Sequence, residues 1–165
     1  MKRAPCIVST TDVPEEDGGY PGSDEITGHG RPIGAAAGLV KIGLHIERVE
    51  PGQRTSYPHA EESLEEFVYV LSGTIDAWID GTLHPMKAGD LAAFPAGTGV
   101  CHTFLNNSET TAVLLVGGEA SRPENRTYYP LHPERREQMA PGRWWDGVTP
   151  PQLGPHDGKP RRGGG

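Results

Sequence analysis

Four side chains that could bind a metal ion lie between positions 59 and 102 of this 165-residue chain. His59 and Glu61 are two positions apart, so on an extended chain both side chains point to one face. Glu66 opens an apolar segment, and His102 follows a glycine-rich loop. Two imidazoles and two carboxylates suit Zn, Mn, Fe or Ni, and the set lacks the thiolates of a structural zinc site. We therefore predict a divalent metal site formed by these four residues, with open positions for water or substrate.

Short apolar segments separated by turn residues must bring these ligands together. Hydrophobic residues alternate with polar ones at 42–46, and the segment 67–71 is apolar on both faces, which is typical of a central strand. The dipeptide Asp80-Gly81 is a hairpin signal. Further strands are expected at 74–79, 82–84, 91–94, 101–105 and 111–116. Short strands with this spacing predict an all-β fold, either an antiparallel sandwich or a barrel.

The domain organisation follows from an uneven composition. The chain contains 23 glycines and 16 prolines, but residues 39–118 hold most of the hydrophobic residues and few of the prolines. We predict one compact domain at 39–118, an irregular N-terminal arm at 1–38 and a C-terminal arm at 119–165. The C-terminal arm is expected to be ordered to about residue 158 and to end in a flexible tail.

The C-terminal arm combines proline with large aromatic residues, which favour burial against the barrel or a partner subunit. These aromatic residues are Tyr128, Tyr129, Trp144 and Trp145. One or two helical turns are expected at 133–138.

Charge and composition exclude several classes of protein. The net charge is −7, and the acidic excess lies mainly in 39–118, which argues against nucleic acid as a partner. No apolar run approaches the ~18 residues of a membrane span, and no hydrophobic region follows the basic N-terminus as in a secretory signal. Cys6 and Cys101 form no CxxC motif, so we expect a reducing compartment and a cytoplasmic protein. Without a secretion signal, the glycosylation patterns at 106–108 and 125–127 are interpreted as chance matches.

Glycines and prolines frame the predicted ligands in two patterns. The first is formed by Gly52, His59, Glu66 and Gly73, and the second by Gly89, Pro95, Gly97, His102 and Asn106. Together they resemble the two motifs of the cupin superfamily, over residues 39–118. The resemblance implies an antiparallel double-stranded β-helix, or jelly-roll barrel, with a metal held inside by His and Glu. It also implies frequent dimerisation, so a homodimer is expected.

Two positions depart from the usual cupin motifs. Glu61 stands where the first motif usually has a second histidine, which leaves the identity of the metal open. Four residues separate Gly97 from His102 where the family usually has two. With the segment 154–158, this stretch resembles a subgroup of bacterial single-domain cupins that share a fold but no agreed reaction.

Three further residues are candidates for contact with a ligand. Tyr57 is two positions from His59, so on an extended chain both side chains point to the same face and Tyr57 could face the pocket. It is the one candidate for acid–base catalysis. A position in the core or at the rim is the alternative. Phe104 shares parity with His102 and could line an apolar wall. His45 is a candidate ligand contact, with a solvent-facing position beside Glu47 as the alternative.

Three functions remain open at this point. The first is a metal-dependent enzyme acting on a small polar molecule, of the oxygenase, isomerase, lyase or decarboxylase type. The alternative is a non-catalytic barrel that binds a sugar or organic acid. The third is a structural barrel with a relic site, which the replacement of histidine by Glu61 would favour.

Overall fold

Antiparallel β-strands make up most of the structure, a computed structural model that describes residues 3–161. Residues 162–165 of the predicted tail and the first two residues of the N-terminal arm lie outside the described residues. The strands are β1 (Glu16–Asp17), β2 (His29–Arg31), β3 (Ile42–Val49), β4 (Ala60–Glu61), β5 (Glu66–Ser72), β6 (Thr74–Ile79), β7 (Thr82–Lys87), β8 (Leu91–Phe94), β9 (His102–Leu105), β10 (Ala112–Glu119) and β11 (Thr127–Tyr128). A 3-10 turn at Thr10–Asp12 and the one-turn helices α1 (Ile33–Ala36) and α2 (Arg135–Gln138) complete the elements.

Two sheets form the walls of a barrel. The six-stranded sheet has the order β1-β2-β3-β10-β5-β8, and the three-stranded sheet has the order β7-β6-β9. Isolated bridges from Arg54 to Leu105 and from His59 to His102 place the segment 54–59 beside β9. Strands β4 and β11 form a separate two-stranded pair. The predicted all-β jelly-roll fold is confirmed.

Side-chain alternation explains the core between the sheets. In β5, Val68 and Val70 are buried inside the barrel, whereas Tyr69 and Leu71 are exposed on the outer face. Inward side chains of both sheets meet in one cluster, which includes Val49, Val70, Ile75, Phe104 and Leu114. Burying this apolar surface stabilises the barrel that carries the ligands.

The sharp turn between β6 and β7 follows the hairpin prediction. Asp80 and Gly81 have φ values of 46° and 87°, the left-handed conformation that a two-residue hairpin of this type requires. The C-terminal arm passes directly over the turn, since the amide of Gly154 donates to the carbonyl of Asp80 at 2.7 Å. A Cβ atom on Gly81 would lie 2.4 Å from the backbone nitrogen of Gly154, so only glycine fits.

The outer faces of the two sheets differ. Trp78, Cys101 and Leu105 point out of the three-stranded sheet and are fully buried by the C-terminal arm. Trp145 packs against them, and the indole nitrogen of Trp78 donates to the carbonyl of His156 at 2.8 Å. We call this surface the covered face.

Within residues 3–161, the outer face of the six-stranded sheet is less completely covered, although α1 packs against Leu44 of β3. Four apolar side chains remain largely exposed there, and we call this surface the open face. They are Ile42 (52% exposed), Tyr69 (37%), Leu71 (44%) and Leu91 (60%). Among residues 3–161, no helix is long and apolar enough to cross a membrane.

Candidate metal centre

Ligand atoms from three of the predicted residues converge inside the barrel. One atom each from His59, Glu66 and His102 lies within 4.8 Å of the others. Oε2 of Glu66 is 3.3 Å from Nε2 of His102 and 3.5 Å from Nε2 of His59. Ligands bound at about 2.1 Å to one ion lie roughly 3–3.5 Å apart, so these spacings fit a shared metal.

Backbone pairing across the barrel explains why the three residues meet. His59 and His102 exchange two backbone hydrogen bonds, of 3.1 and 2.9 Å, which places their side chains next to each other. Glu66 begins β5 in the opposite sheet and pairs there with Phe94 of β8. Side chains alternate between the two faces of a strand, and Glu66 of β5 and His102 of β9 both lie at inward positions. The carboxylate therefore points at the two imidazoles.

The orientation of the His59 ring is fixed by a backbone contact. Its Nδ1 donates to the carbonyl oxygen of Tyr57 at 2.8 Å. This contact leaves Nε2 to face Glu66, which is the arrangement that metal-binding histidines usually have.

His102 is held by packing. Its ring stacks on Phe94 with centroids 3.5 Å apart and an angle of 6° between the planes, and Phe104 lies at its edge. Burial, opposed in part by Glu66, lowers the pKa of the imidazole. A neutral imidazole is the form that binds metal.

The charges of the group favour a cation between its members. Burial alone would raise the pKa of Glu66, but the nearby imidazoles of His102 and His59 hold it well below its usual range. Burial alone would lower the pKa of His59, but Glu66 and then Glu61 raise it to about 9. Oε2 of Glu66 is buried without a hydrogen-bond partner among residues 3–161. An unpartnered buried carboxylate oxygen facing two imidazole nitrogens suits a divalent ion in place of the proton.

Glu61 lies beside this group. Its Oε1 is 3.9 Å from Nε2 of His59. Its Oε2 accepts hydrogen bonds from Nδ2 of Asn125 at 2.5 Å and from Oγ1 of Thr127 at 3.0 Å. Burial raises the pKa of this carboxyl, although His59 and Asn125 oppose the effect. One oxygen is therefore fixed by the C-terminal arm, and the other is directed towards the centre.

The structure does not bring the weaker candidates to the centre as ligands. Tyr57 stacks between Tyr20 and His132, with ring centroids 3.9 and 3.7 Å away. Phe104 is buried in the barrel core beside Phe94. His45 is exposed and lines a separate pocket of about 230 Å³ with Glu47.

A polar pocket of about 450 Å³ opens above the metal centre. Its lining includes the carboxylates of Glu61, Glu66 and Glu119 and three side chains of the C-terminal arm, Tyr129, Arg135 and Arg143. This size is typical of a small-molecule site.

Sequence reasoning missed the residues that the arm contributes. Asn125 and Thr127 belong to a segment interpreted as a chance glycosylation match, yet they anchor Glu61. Thr127 reaches Glu61 because β11 pairs with β4. In the sequence, Asn125 is marked only by the charged residues on either side of it. Its partner Glu61 lies 64 positions away, so no local pattern connects the two residues.

Comparison with protein families identifies residues 45–118 as a match to the Cupin_2 family, described as a cupin domain. The matched region contains His59, Glu66 and His102.

Two solved structures share most of the fold. A sugar phosphate isomerase of the cupin superfamily from Silicibacter pomeroyi is 33% identical with a TM-score of 0.69, over 74% of this chain and 80% of that one. The polyketide cyclase RemF from Streptomyces resistomycificus is 27% identical with a TM-score of 0.60, over 76% of this chain and 84% of RemF. Among curated proteins, SchB from Streptomyces halstedii is 33% identical over 93 residues, which is 55% of this chain. The match spans 62% of the length of SchB.

Proposed function

Because the chain belongs to the cupin superfamily, we propose that it is a metal-dependent enzyme that moves a proton on a small oxygen-rich molecule. The observation that carries the proposal is Oε2 of Glu66, which is buried without a hydrogen-bond partner among residues 3–161 and faces two imidazole nitrogens. The isomerase and the cyclase among the similar structures favour redox-neutral chemistry.

His59, Glu66 and His102 would hold the ion, and Phe94 keeps the His102 ring in place. A bound divalent ion would act as a Lewis acid towards a carbonyl or hydroxyl oxygen of the substrate. The pocket that Glu61 and Glu66 line would give that oxygen access to the centre.

Glu61 is the group we propose for proton transfer. Asn125 and Thr127 hold its Oε2, so its Oε1 remains available at the centre. A carboxylate fixed in this way can take a proton from a carbon next to a carbonyl and return it to the neighbouring carbon. The sequence predicts instead that Glu61 is a fourth metal ligand. The variant Glu61→Gln distinguishes proton transfer from metal binding.

Metal content tests the centre. We expect near-stoichiometric metal in protein purified without chelator or histidine tag, measured by plasma mass spectrometry. Glu66→Gln and His102→Asn should lose most of it, while His84→Asn, at an exposed position, should retain it. A metal-free wild type that is as stable as the variants would contradict the proposal.

Glu61→Gln then distinguishes proton transfer from ligation. If Glu61 moves the proton, the variant keeps its metal and loses turnover by about 10²-fold or more. If the metal is lost together with turnover, Glu61 is the fourth ligand.

Deuterium exchange tests the reaction class. Hydroxyaldehydes and hydroxyketones, with and without phosphate, would be incubated with the metal-loaded enzyme in D₂O under air and under argon. NMR should detect deuterium next to the carbonyl under both atmospheres. Turnover that requires oxygen would assign the site to an oxygenase instead, and saturable binding without exchange would favour the non-catalytic barrel.

We also propose that the protein is a homodimer joined through the open face. This face combines exposed apolar side chains from several strands, and contiguous apolar patches on soluble proteins mark interaction surfaces. Sedimentation velocity should give twice the chain mass, and a monomer at all concentrations would contradict the proposal.

A further inference from the structure

The pocket above the metal centre is lined by side chains of both charges. Glu61, Glu66 and Glu119 line it together with two arginines of the C-terminal arm, Arg135 and Arg143. A divalent ion at the centre would offset the charge of the carboxylates beside it, and Glu119 is already paired with Arg122. Arg135 and Arg143 then remain as the charged side chains of the pocket without an ion pair.

Arg135 is held in place and yet incompletely paired. Its guanidinium lies over the rings of Tyr20 and Tyr129, 4.9 and 5.4 Å from their centroids. One terminal nitrogen donates to Oε1 of Gln138 at 2.8 Å. Its Nε is buried without a hydrogen-bond partner among residues 3–161. The side chain as a whole is half-buried, but a buried donor without a partner is costly, so an acceptor beside this nitrogen would be favourable.

Arg143 carries a second unpaired guanidinium at the same pocket. Its side chain forms no hydrogen bond or ion pair with the described part of the chain, although its backbone is fixed by Thr127 and Ala140. Its position is therefore set by the same segment that anchors Glu61.

Neighbouring arginines of the arm are paired, which sets these two apart. Arg122 binds Glu119, Arg126 binds Glu62 and Arg136 binds Asp146, each at 2.8 Å or less. None of these three lines the pocket. Among the arginines of the arm within residues 3–161, the two without an ion pair therefore both line the pocket.

We propose that Arg135 and Arg143 bind an anionic group of the substrate, a phosphate or a carboxylate, while its carbonyl or hydroxyl end faces the metal centre. Guanidinium groups match the geometry of both anions with paired hydrogen bonds. This inference rests on the proposed function for the orientation of the substrate, but the anion site itself stands on the arm. It assigns substrate selection to residues outside the cupin domain match at 45–118.

Binding of simple anions to the metal-loaded protein tests the site. Inorganic phosphate and acetate would be titrated separately by calorimetry into the wild type and into Arg135→Gln, Arg143→Gln and Arg136→Gln. We expect saturable binding of at least one anion, weakened about tenfold or more by Arg143→Gln and Arg135→Gln and unchanged by Arg136→Gln. The preference between the two anions distinguishes a phosphorylated substrate from a carboxylic acid.

Two results would overturn the proposal. One is the absence of saturable binding of either anion, and the other is equal affinity in all four proteins. Because Arg135 also contacts two tyrosines, Arg143→Gln provides the variant with least risk to folding. Metal content and deuterium exchange measured on the same variants keep the two proposals apart. Retained metal and exchange without an anion site would overturn only this inference. A wild type that holds no metal but binds the anion through Arg143 would overturn only the proposed function.

Discussion

The outer faces of the two sheets both carry apolar side chains, but they differ in how far these side chains are buried. On the covered face, the chain supplies its own cover, and Trp78 and Leu105 are fully buried. On the open face, side chains of comparable hydrophobicity, such as Leu91 and Ile42, remain more than half exposed. The C-terminal arm thus covers one face within a single chain and leaves exposed the face through which we propose that a second copy binds.

Of the variants considered for the two faces, Trp145→Ala should have the largest effect on the free energy of unfolding. It would remove a large side chain that packs on Trp78 and Cys101, at a cost of about 3–4 kcal/mol in the free energy of unfolding. Urea denaturation at low protein concentration measures this loss. Leu91→Ala on the open face is the matched control and should cost well under ~1 kcal/mol. Equal losses in the two variants would contradict the division between the faces.

Buried charge distinguishes the two sheets as well. Arg54, in the segment beside β9, is buried and binds both oxygens of Glu25, at 2.6 and 2.7 Å. Glu47 of β3, on the inner face of the other sheet, has no hydrogen-bond or ion-pair partner in residues 3–161, and burial raises its pKa to about 8.

This difference predicts a pH effect for Glu47→Gln. Above the unfolded pKa of 4.5, the unfolded chain releases a proton that the folded protein keeps up to about pH 8. Wild-type stability therefore falls as the pH rises through this window. The variant should be more stable by up to about 5 kcal/mol near pH 9 and equal to wild type near pH 4. Thermal unfolding across this range measures the difference, with the exposed Glu109→Gln as the control, and a constant difference at every pH would contradict the prediction.

Leu91→Glu should have the smallest effect on the free energy of unfolding of the subunit, and it tests whether the open face binds a second copy. The side chain is 60% exposed, so the free energy of unfolding of the monomer should change by less than ~0.5 kcal/mol. A buried charge at a subunit interface is unfavourable, so sedimentation should shift towards monomer. Ile7→Glu changes an exposed apolar residue outside the open face and should leave the oligomeric state unchanged.

Local patterns were sufficient to predict the strands of the barrel. β6 and β8 have the predicted bounds, because alternating side chains and the flanking Gly and Pro residues specify them within a few positions. The glycine spacing likewise predicted the convergence of His59, Glu66 and His102, since strand parity fixes which face each side chain occupies.

Side-chain alternation did not predict the direction of Tyr57, which lies where the backbone pairing is irregular. Arg54 pairs with Leu105 and His59 with His102, so the segment holds more residues than its partner between the two bridges. In this irregular segment Tyr57 does not follow the direction of the His59 side chain, and its ring stacks on Tyr20. No local signal marks such a bulge, because it is defined only against the partner strand.

Long-range pairing explains what the sequence did not reveal in the arms. β1 and β2 were expected to be irregular, since the segment 28–32 contains glycine and proline and has no apolar period. They form strands because the edge of β3 offers unpaired backbone groups. Asn125 and Thr127 gain their role from β4 in the same way.

The position of the arm in the chain also orders the events of protein synthesis. The strands that carry the metal ligands are translated before the residues that cover Trp78 and anchor Glu61. A nascent chain that has reached Glu119 has every strand of the two main sheets but still exposes an indole and two further apolar side chains. Translation of the last forty or so described residues both covers this apolar surface and completes the pocket at the proposed metal centre. A truncated product would therefore be prone to aggregation.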